Sequence, residues 1–521
     1  MNGDGWQKVC REGDLHEGSL TKVKAGEDDV CIVRLEGALH AVGNKCPHYE
    51  CQINEGMLVG NVLTCRCHDA RFDLRTGKVL AAPALNDLPV YPVRIDNGDV
   101  FLGAVEKPRF PKPEGNDPRT FLIVGGGAAG NAAAETLRRE GFAGRIVMIT
   151  AETDTPYDRP NLSKEFISGE AKPEWMLLRS AKFYANQKIE ILTGTKVTAI
   201  DPRKKTASLS TGQTLSYDRA LLATGGTPRA LPVTGADGEA CFRLRSFADA
   251  RAIVEAASAG KSAALIGAGF ISMELASSLR KRGLAVTVIA PEAEPLLGIL
   301  GERIASYMRK RHEKDGASFR LGATVTRISG GKGSKKITLS DGSSLEADFI
   351  VYGIGVTPAV DYLQGTDLVE KGAVAVSPQL RTKYADLYAA GDIAVVPDGA
   401  DRGSRVEHWV VAERQGQHAA RAMLGSNAPY DEVPFFWTRQ TGVSLKYAGY
   451  AREWDEIAYR GDVDAGKFLA GYYLGGTLLA AAALGMPNDL TAVKLIIQKK
   501  APLPPAKLAD EGVDLFALAR A

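Results

Sequence analysis

Phe121-Leu122-Ile123-Val124-Gly125-Gly126-Gly127-Ala128-Ala129-Gly130 is the stretch that decides the fold. Four apolar residues closed by a glycine run read as a short buried strand, and the Ala-rich text through Arg139 reads as the helix it feeds. A second strand, Ile146 to Thr150, follows and leads to Glu152. That order is the dinucleotide fingerprint. Gly125, Gly127 and Gly130 let backbone approach a pyrophosphate, the helix N-terminus faces its charge, and Glu152 binds a ribose. About 140 residues on, the order repeats: strand Ala263 to Ile266, then Gly267-Ala268-Gly269-Phe270-Ile271-Ser272, then a helix through Lys281. Ser272 stands where the third glycine belongs. Ala290 stands where the ribose acid would end the second strand, with Glu292 two residues further. No Arg or Lys lies between Pro291 and Leu300 to hold a 2′-phosphate, so NADH is favoured, with NADPH the alternative.

Outward from these two units the text changes character. Residues 1–104 hold short β-type runs (Val30 to Leu35, Val62 to Cys65, Val90 to Ile95, Val100 to Leu102) broken by Gly, Asn and Asp, which predicts a small antiparallel domain. Residues 105–118 carry Pro108, Pro111, Pro113 and Pro118, a semi-rigid linker that would span ~40 Å fully extended. The first dinucleotide domain is expected over 119–237 and 345–430, interrupted by the second over 238–344. A C-terminal α+β interface domain over 431–521 has an aromatic strand (Lys467 to Leu474) and a last helix (Leu490 to Gln498). Ser246-x-x-Asp249 is a capping box before the second domain's first helix.

Six of the seven cysteines lie in the first 67 residues, which points to a local metal or cluster site. Cys46-Pro47-His48 and Cys65-Arg66-Cys67-His68 form two loops, each offering one thiolate and one imidazole. Two cysteines on one iron and two histidines on the other is the ligand set of a Rieske [2Fe–2S] centre, so Cys46, His48, Cys65 and His68 are the expected ligands. Cys₂His₂ also satisfies Zn²⁺, but zinc fingers pair like with like on each loop, and here both loops are mixed.

The stretch Arg71-Phe72-Asp73-Leu74-Arg75-Thr76-Gly77 resembles the segment after the second loop of Rieske ferredoxins. Cys51 and Cys67 resemble the extra pair of the Rieske protein of cytochrome bc complexes, where a disulfide ties the cluster loops; two free thiols is the alternative in a reducing compartment. At the positions where that family donates hydroxyl hydrogen bonds, this chain has Ala70 and Phe72. Together with the acids Glu50, Asp69 and Asp73, this implies a cluster potential at or below about −150 mV.

Pro156-Tyr157-Asp158-Arg159-Pro160-x-Leu162-Ser163-Lys164, Leu222-Ala223-Thr224-Gly225-Gly226 and Leu387-Tyr388-Ala389-Ala390-Gly391-Asp392 resemble the two-dinucleotide reductases. The likeness is to ferredoxin reductases of aromatic-ring dioxygenases and the apoptosis-inducing-factor group, and includes Glu407-His408-Trp409 and Phe435-Phe436-Trp437. With the N-terminal domain, the chain resembles their Rieske-bearing branch. The resemblance implies FAD on the first unit, with Thr224, Gly225 and Asp392 at the cofactor and Arg159 along it. It implies NAD(P)H on the second, with Gly267, Gly269 and Glu292. Lys164, paired with Glu274, would sit by flavin N5, where a cation favours reduced flavin. Trp437 would stack over the isoalloxazine. The redox dithiol of the disulfide-reductase relatives is missing, since Thr150 to Lys172 has no cysteine.

A formal net charge of +2 gives no footprint for nucleic acid, and no apolar stretch of about 18 residues predicts membrane insertion. The N-terminus lacks a signal peptide's apolar core, so a cytoplasmic monomer or homodimer is expected. The expected protein is a multidomain FAD-dependent NAD(P)H oxidoreductase: a β-rich Rieske domain, two doubly wound α/β (Rossmann-like) dinucleotide domains and a C-terminal α+β domain. Electrons would pass from NADH through FAD to the cluster and on to an oxygenase or other metalloprotein. An NADH oxidase and a redox-responsive signalling protein are the rival readings.

Overall fold

A computed structural model describes residues 5–398 and 403–520. The two glycine motifs head two five-stranded parallel sheets of the same design. In the first, Thr120–Val124 lies between Arg145–Ile149 and Arg219–Leu222, with Ile189–Leu192 and Leu387–Ala389 at the edges. In the second, Ser262–Ile266 lies between Ala285–Ala290 and Phe349–Tyr352, flanked by Ala317–Leu321 and Cys241–Phe242. The central strands are buried on both faces, as their unbroken apolar runs require.

The first sheet's last strand enters only after the second domain is complete, so this domain is discontinuous. The boundary expected at 344/345 moves past Tyr352. Phe349–Tyr352 pairs in parallel with Ser262–Ile266, and so belongs to the second sheet. Its sequence is apolar throughout and names no sheet; only the pairing does.

The first glycine motif is a close-approach device. A Cβ added at Gly130 would lie 1.9 Å from the Gly125 carbonyl oxygen, so helix Ala128–Arg139 can seat on its strand only without that side chain. The second motif tolerates Ser272 because the space is made on the facing strand end. A Cβ on Gly353 would come 3.1 Å from Ser272 Oγ.

The N-terminal domain is antiparallel as its short runs predict, with a four-stranded sheet through Asp28–Leu35 and Ala38–Gly43. A second sheet, Met57–Val59, Val62–Thr64, Arg71–Asp73 and Val79–Ala81, carries the second cysteine loop between its middle strands. The C-terminal domain is a five-stranded antiparallel sheet, Phe435–Gln440 at one edge, backed by helix Pro487–Gln498.

Residues 105–118, expected as a semi-rigid linker, pack against the domains they join. Glu106 pairs with Val90, closing the first domain. Phe110 packs on Phe183 with ring centroids 4.9 Å apart, and the Arg139 guanidinium lies 4.4 Å from the Phe110 centroid. Met57 of the N-terminal domain joins the buried cluster of the C-terminal domain. The domains are packed on one another.

Gly130→Ala is expected to lower the thermal midpoint, with an overpacking cost of about 1–3 kcal/mol, and to reduce bound FAD measured by absorbance. A full complement of flavin at an unchanged midpoint would contradict the close-approach argument.

Candidate functional site

Three features converge where the domains meet. The first is a cavity of about 630 Å³ in the first dinucleotide domain, lined by Gly125 to Ala129, Glu152, Arg159, Thr224, Gly225 and Asp392. Gly130 lies behind this wall. Arg159 Nη2 donates to Glu152 Oε1 at 2.8 Å, and Tyr157 Oη donates to its other oxygen at 2.5 Å. Arg245, which carries no sequence signal of its own, reaches Asp392 Oδ2 at 3.0 Å from the start of the second domain.

The second cavity, about 600 Å³, is lined by Gly269, Phe270, Ile271, Tyr352 to Val356, Phe436 and Trp437. It shares Pro160, Arg245, Ile271, Glu274, His408 and Trp409 with the first, so the two spaces meet at one wall. Gly267 lies beneath its glycine turn. Glu292, expected on a ribose, stands exposed past the end of its strand and lines neither cavity. A residue two positions beyond the strand has already turned away.

Lys164 lines neither cavity. It is buried one layer behind the shared wall, with Nζ 2.9 Å from Glu274 Oε2 and 2.8 Å from the Pro160 carbonyl. The two charges that the sequence sets 110 residues apart are brought together, and Glu274 faces both cavities. Trp437 lines the second cavity. Its ring centroid is 4.3 Å from that of His68 and 5.8 Å from that of His48, so it stands between the second cavity and the histidine loops.

The histidine loops form the third feature. His48 and His68 turn their Nδ1 atoms to each other at 3.1 Å. Burial holds both imidazoles neutral, His48 at about 3 and His68 well below its ordinary value. Cys65 and Cys46 are hydrogen-bonded, and this bond lowers the Cys65 thiol against the pull of burial. Two neutral imidazoles, and a buried thiol pair in which Cys46 holds the proton that Cys65 gives up readily, fit a [2Fe–2S] cluster. Cys51 and Cys67 form a disulfide across the two loops, which removes them from any ligand set.

Around this point the expected excess of negative charge is neutralised. Asp69, next to His68, is fully buried. Burial would raise its carboxyl, but Lys494 and Arg414 outweigh that and hold it far below the carboxylate range. Arg414 Nη2 meets Asp69 Oδ2 at 2.7 Å, and Lys494 Nζ binds the same oxygen. Lys446 donates to the Arg66 carbonyl at 2.7 Å and lies in the field of Cys65. Burial lowers its ammonium to about 8. Glu50 is a solvent-exposed partner of Lys45, and Asp73 is engaged by Asn61 and Thr76. Two of the three acids, Asp69 and Glu50, are therefore paired with cations, which weakens their push toward low potential, while Ala70 and Phe72, both fully buried, still offer no hydroxyl.

Tyr49 links the cluster loop to the first dinucleotide domain. Its ring lies edge-on to His48 at 4.4 Å, and its Oη donates to Asp158 Oδ2 at 3.1 Å while accepting from Asn161. Burial raises the Asp158 carboxyl to about 6. Tyr49 follows His48 directly, but nothing in the sequence pairs it with residues more than a hundred positions on.

Two dinucleotide cavities sharing a wall, beside a two-cysteine, two-histidine centre, define a flavin- and nicotinamide-dependent oxidoreductase with its own Rieske domain. The comparisons agree segment by segment: residues 5–92 match the Rieske [2Fe-2S] domain, 119–416 the pyridine nucleotide-disulphide oxidoreductases and 435–519 the reductase C-terminal domain. The chain belongs to the pyridine nucleotide-disulphide oxidoreductase family, in its ferredoxin-reductase-like branch with a fused Rieske domain. It is an FAD-dependent enzyme that passes electrons from reduced nicotinamide through FAD to a Rieske cluster. Apoptosis-inducing factor 3 from Homo sapiens is 34% identical over 507 residues, covering 94% of this chain and 83% of that protein. Rhodocoxin reductase from Rhodococcus erythropolis is 33% identical, covering 77% of this chain and 95% of its own length. The covalent putidaredoxin reductase–putidaredoxin complex aligns at a TM-score of 0.73 and 33% identity, covering 78% of this chain and 100% of that one. Among the described residues no helix is long and apolar enough to cross a membrane.

Arg414→Met leaves Asp69 buried against Lys494 alone, and breaking such a network costs about 3–5 kcal/mol. Faster proteolytic cleavage within residues 105–118 and slower reduction of the cluster are expected, with nicotinamide reduction of the flavin preserved. Lys446→Met is expected to lower the cluster's potential by ~59 mV, a tenfold change for one electron. Voltammetry of the cluster checks it, with the flavin potential unchanged as control.

Proposed function

We propose that the chain is an NADH-dependent reductase whose attached Rieske cluster does the work of a ferredoxin, delivering electrons to an oxygenase or another metalloprotein. The observation that carries this reading is the position of Trp437, in contact with the cluster-loop histidines on one side and lining the nucleotide cavity on the other. Relatives named as ferredoxin–NAD(+) reductase components of dioxygenase systems support it, among them that of anthranilate 1,2-dioxygenase from Burkholderia cepacia at 34% identity.

The residues have distinct tasks. Gly125, Gly127 and Gly130 admit the FAD pyrophosphate to a helix N-terminus, and Thr224, Gly225, Arg159 and Asp392 line the cavity along the rest of the cofactor. Gly267 and Gly269 do the same for NADH in the second cavity. Ile271, Glu274, His408 and Trp409 form the shared wall at which nicotinamide and flavin meet and from which water is excluded. Lys164 and Glu274 form the catalytic ion pair: the Lys164 charge, one layer behind that wall, biases the site toward reduced flavin, and Glu274 holds it in place. Cys46 and Cys65 hold one iron, His48 and His68 the other. When bound, FAD supplies the conversion from a two-electron hydride to single electrons and the cluster carries them singly. Trp437 and Tyr49 fix the distance between the two. The chain would act in the cytoplasm, as a monomer or homodimer, beside soluble partners.

His48→Ala and His68→Ala are each expected to abolish the Rieske visible and EPR signals with full FAD content. NADH should still bleach the flavin, and NADH-dependent reduction of cytochrome c should fall at least about tenfold. Retention of the cluster spectrum in both variants would refute the ligand set. Unimpaired cytochrome c reduction without the cluster would refute the route and favour an oxidase.

A further inference from the structure

Behind the Lys164–Glu274 pair runs a line of buried polar side chains with no task in the reading above. Glu274 Oε1 receives Thr438 Oγ1 at 2.7 Å, and Thr438 Oγ1 in turn receives Gln440 Nε2 at 2.8 Å. Gln440 Oε1 lies 2.9 Å from His312 Nε2, on helix Glu302–Lys314 of the second dinucleotide domain. The direction of every bond is forced. A carboxylate only accepts, so the Thr438 proton points at Glu274. An amide nitrogen only donates, so Gln440 turns it to Thr438 and leaves its oxygen for His312, which must carry the proton on Nε2.

Thr438 and Gln440 are each 1% exposed and His312 not at all, and His312 Nδ1 finds no partner. Valine or leucine would fill such space without leaving a polar atom unsatisfied. The charged groups that face Glu274 are few. Lys164 comes from the short helix Leu162–Phe166 of the first dinucleotide domain, with the Ser163 hydroxyl on the same carboxylate oxygen; Arg311 and Asp315 sit at the His312 end. The line is therefore built to hold one oxygen of Glu274 while Lys164 takes the other.

We propose that Thr438, held by Gln440 and His312 behind it, is a positioning residue for the Lys164–Glu274 pair. Its hydroxyl fixes which carboxylate oxygen faces Lys164, and its dipole offsets part of the Glu274 charge beside the flavin cavity. The inference rests on the reading that this pair serves the bound flavin. Loss of the hydroxyl leaves Glu274 more strongly negative and less well placed, which disfavours electrons on the flavin.

The test is the FAD midpoint potential of the holoenzyme. Thr438→Val, equal in size, is expected to shift the NADH/FAD equilibrium about tenfold toward oxidised flavin, a lowering of ~30 mV for two electrons. Thr438→Ser should restore it, and the cluster potential should not move. In a Glu274→Gln background Thr438→Val should add nothing. If Thr438→Val fails to retain FAD, Gln440→Met, which frees the Thr438 hydroxyl to turn away, must lower the potential in the same direction. Wild-type potentials in the folded position-438 or position-440 variant, with Glu274→Gln shifted, overturn the positioning role alone. Wild-type potentials in Glu274→Gln and Lys164→Met as well overturn the reading of the ion pair itself.

Discussion

A single carboxylate, Asp69, sets how the second cluster loop is seated on the rest of the protein. It directly follows a histidine of the second cluster loop, and its backbone sits at a φ of +63°. Arg414 reaches it from the helix that packs on the flavin-side glycine motif, and Lys494 from the helix that backs the C-terminal sheet. Arg414 also binds the Asp69 and Ala82 carbonyl oxygens, and Glu432 spans Arg414 and Arg71. One loop is thus gripped by both the first dinucleotide domain and the C-terminal domain. That grip, together with the Trp437 and Tyr49 contacts, seats the cluster loop against the dinucleotide cavities.

Strand Phe435–Gln440 turns the grip into a route. Side chains alternate along a strand. Trp437 faces the histidine loops, while Phe436, Thr438 and Gln440 face the nucleotide side. Neighbouring residues on one edge strand therefore touch both redox sites, and a shift of the strand would disturb both at once. Lys446, on the paired strand opposite Trp437, adds a positive charge that acts on Cys65.

Much of this was legible in the chain. The two glycine motifs identify themselves because strand, turn and helix must follow one another to make a pyrophosphate site, and the mixed cysteine–histidine loops because few centres use that set. What stayed hidden depends on distance in the sequence. Asp69 counts as one more acid until Arg414 and Lys494 are seen to pair with it, which removes its share of the argument from local charge. Phe349–Tyr352 shows itself as a strand but not as a member of the second sheet. Glu292 fits a spacing rule, yet it stands exposed and outside the lining of both cavities. Thr438 and Gln440 look like ordinary strand residues, since neither hydroxyl nor amide announces a partner 164 or 128 positions away.

Why the dock uses buried charge deserves a physical answer, since an apolar interface would hold as well. Replacing buried ion pairs by matched hydrophobic groups is often neutral or stabilising, so the network is weak grounds for stability. It differs in what it forbids. Apolar surfaces slide by an ångström at little cost, whereas Asp69 displaced from Arg414 and Lys494 is an unpaired charge in a dry site. The restriction falls where it matters. The residue so fixed is adjacent to His68, and His68 is the histidine nearest Trp437. Met57, buried among C-terminal apolar residues, adds area but no such direction. The dock is therefore organised for geometry: the apolar contacts supply the hold, and the charges select one register, the one that leaves Trp437 against the cluster loop.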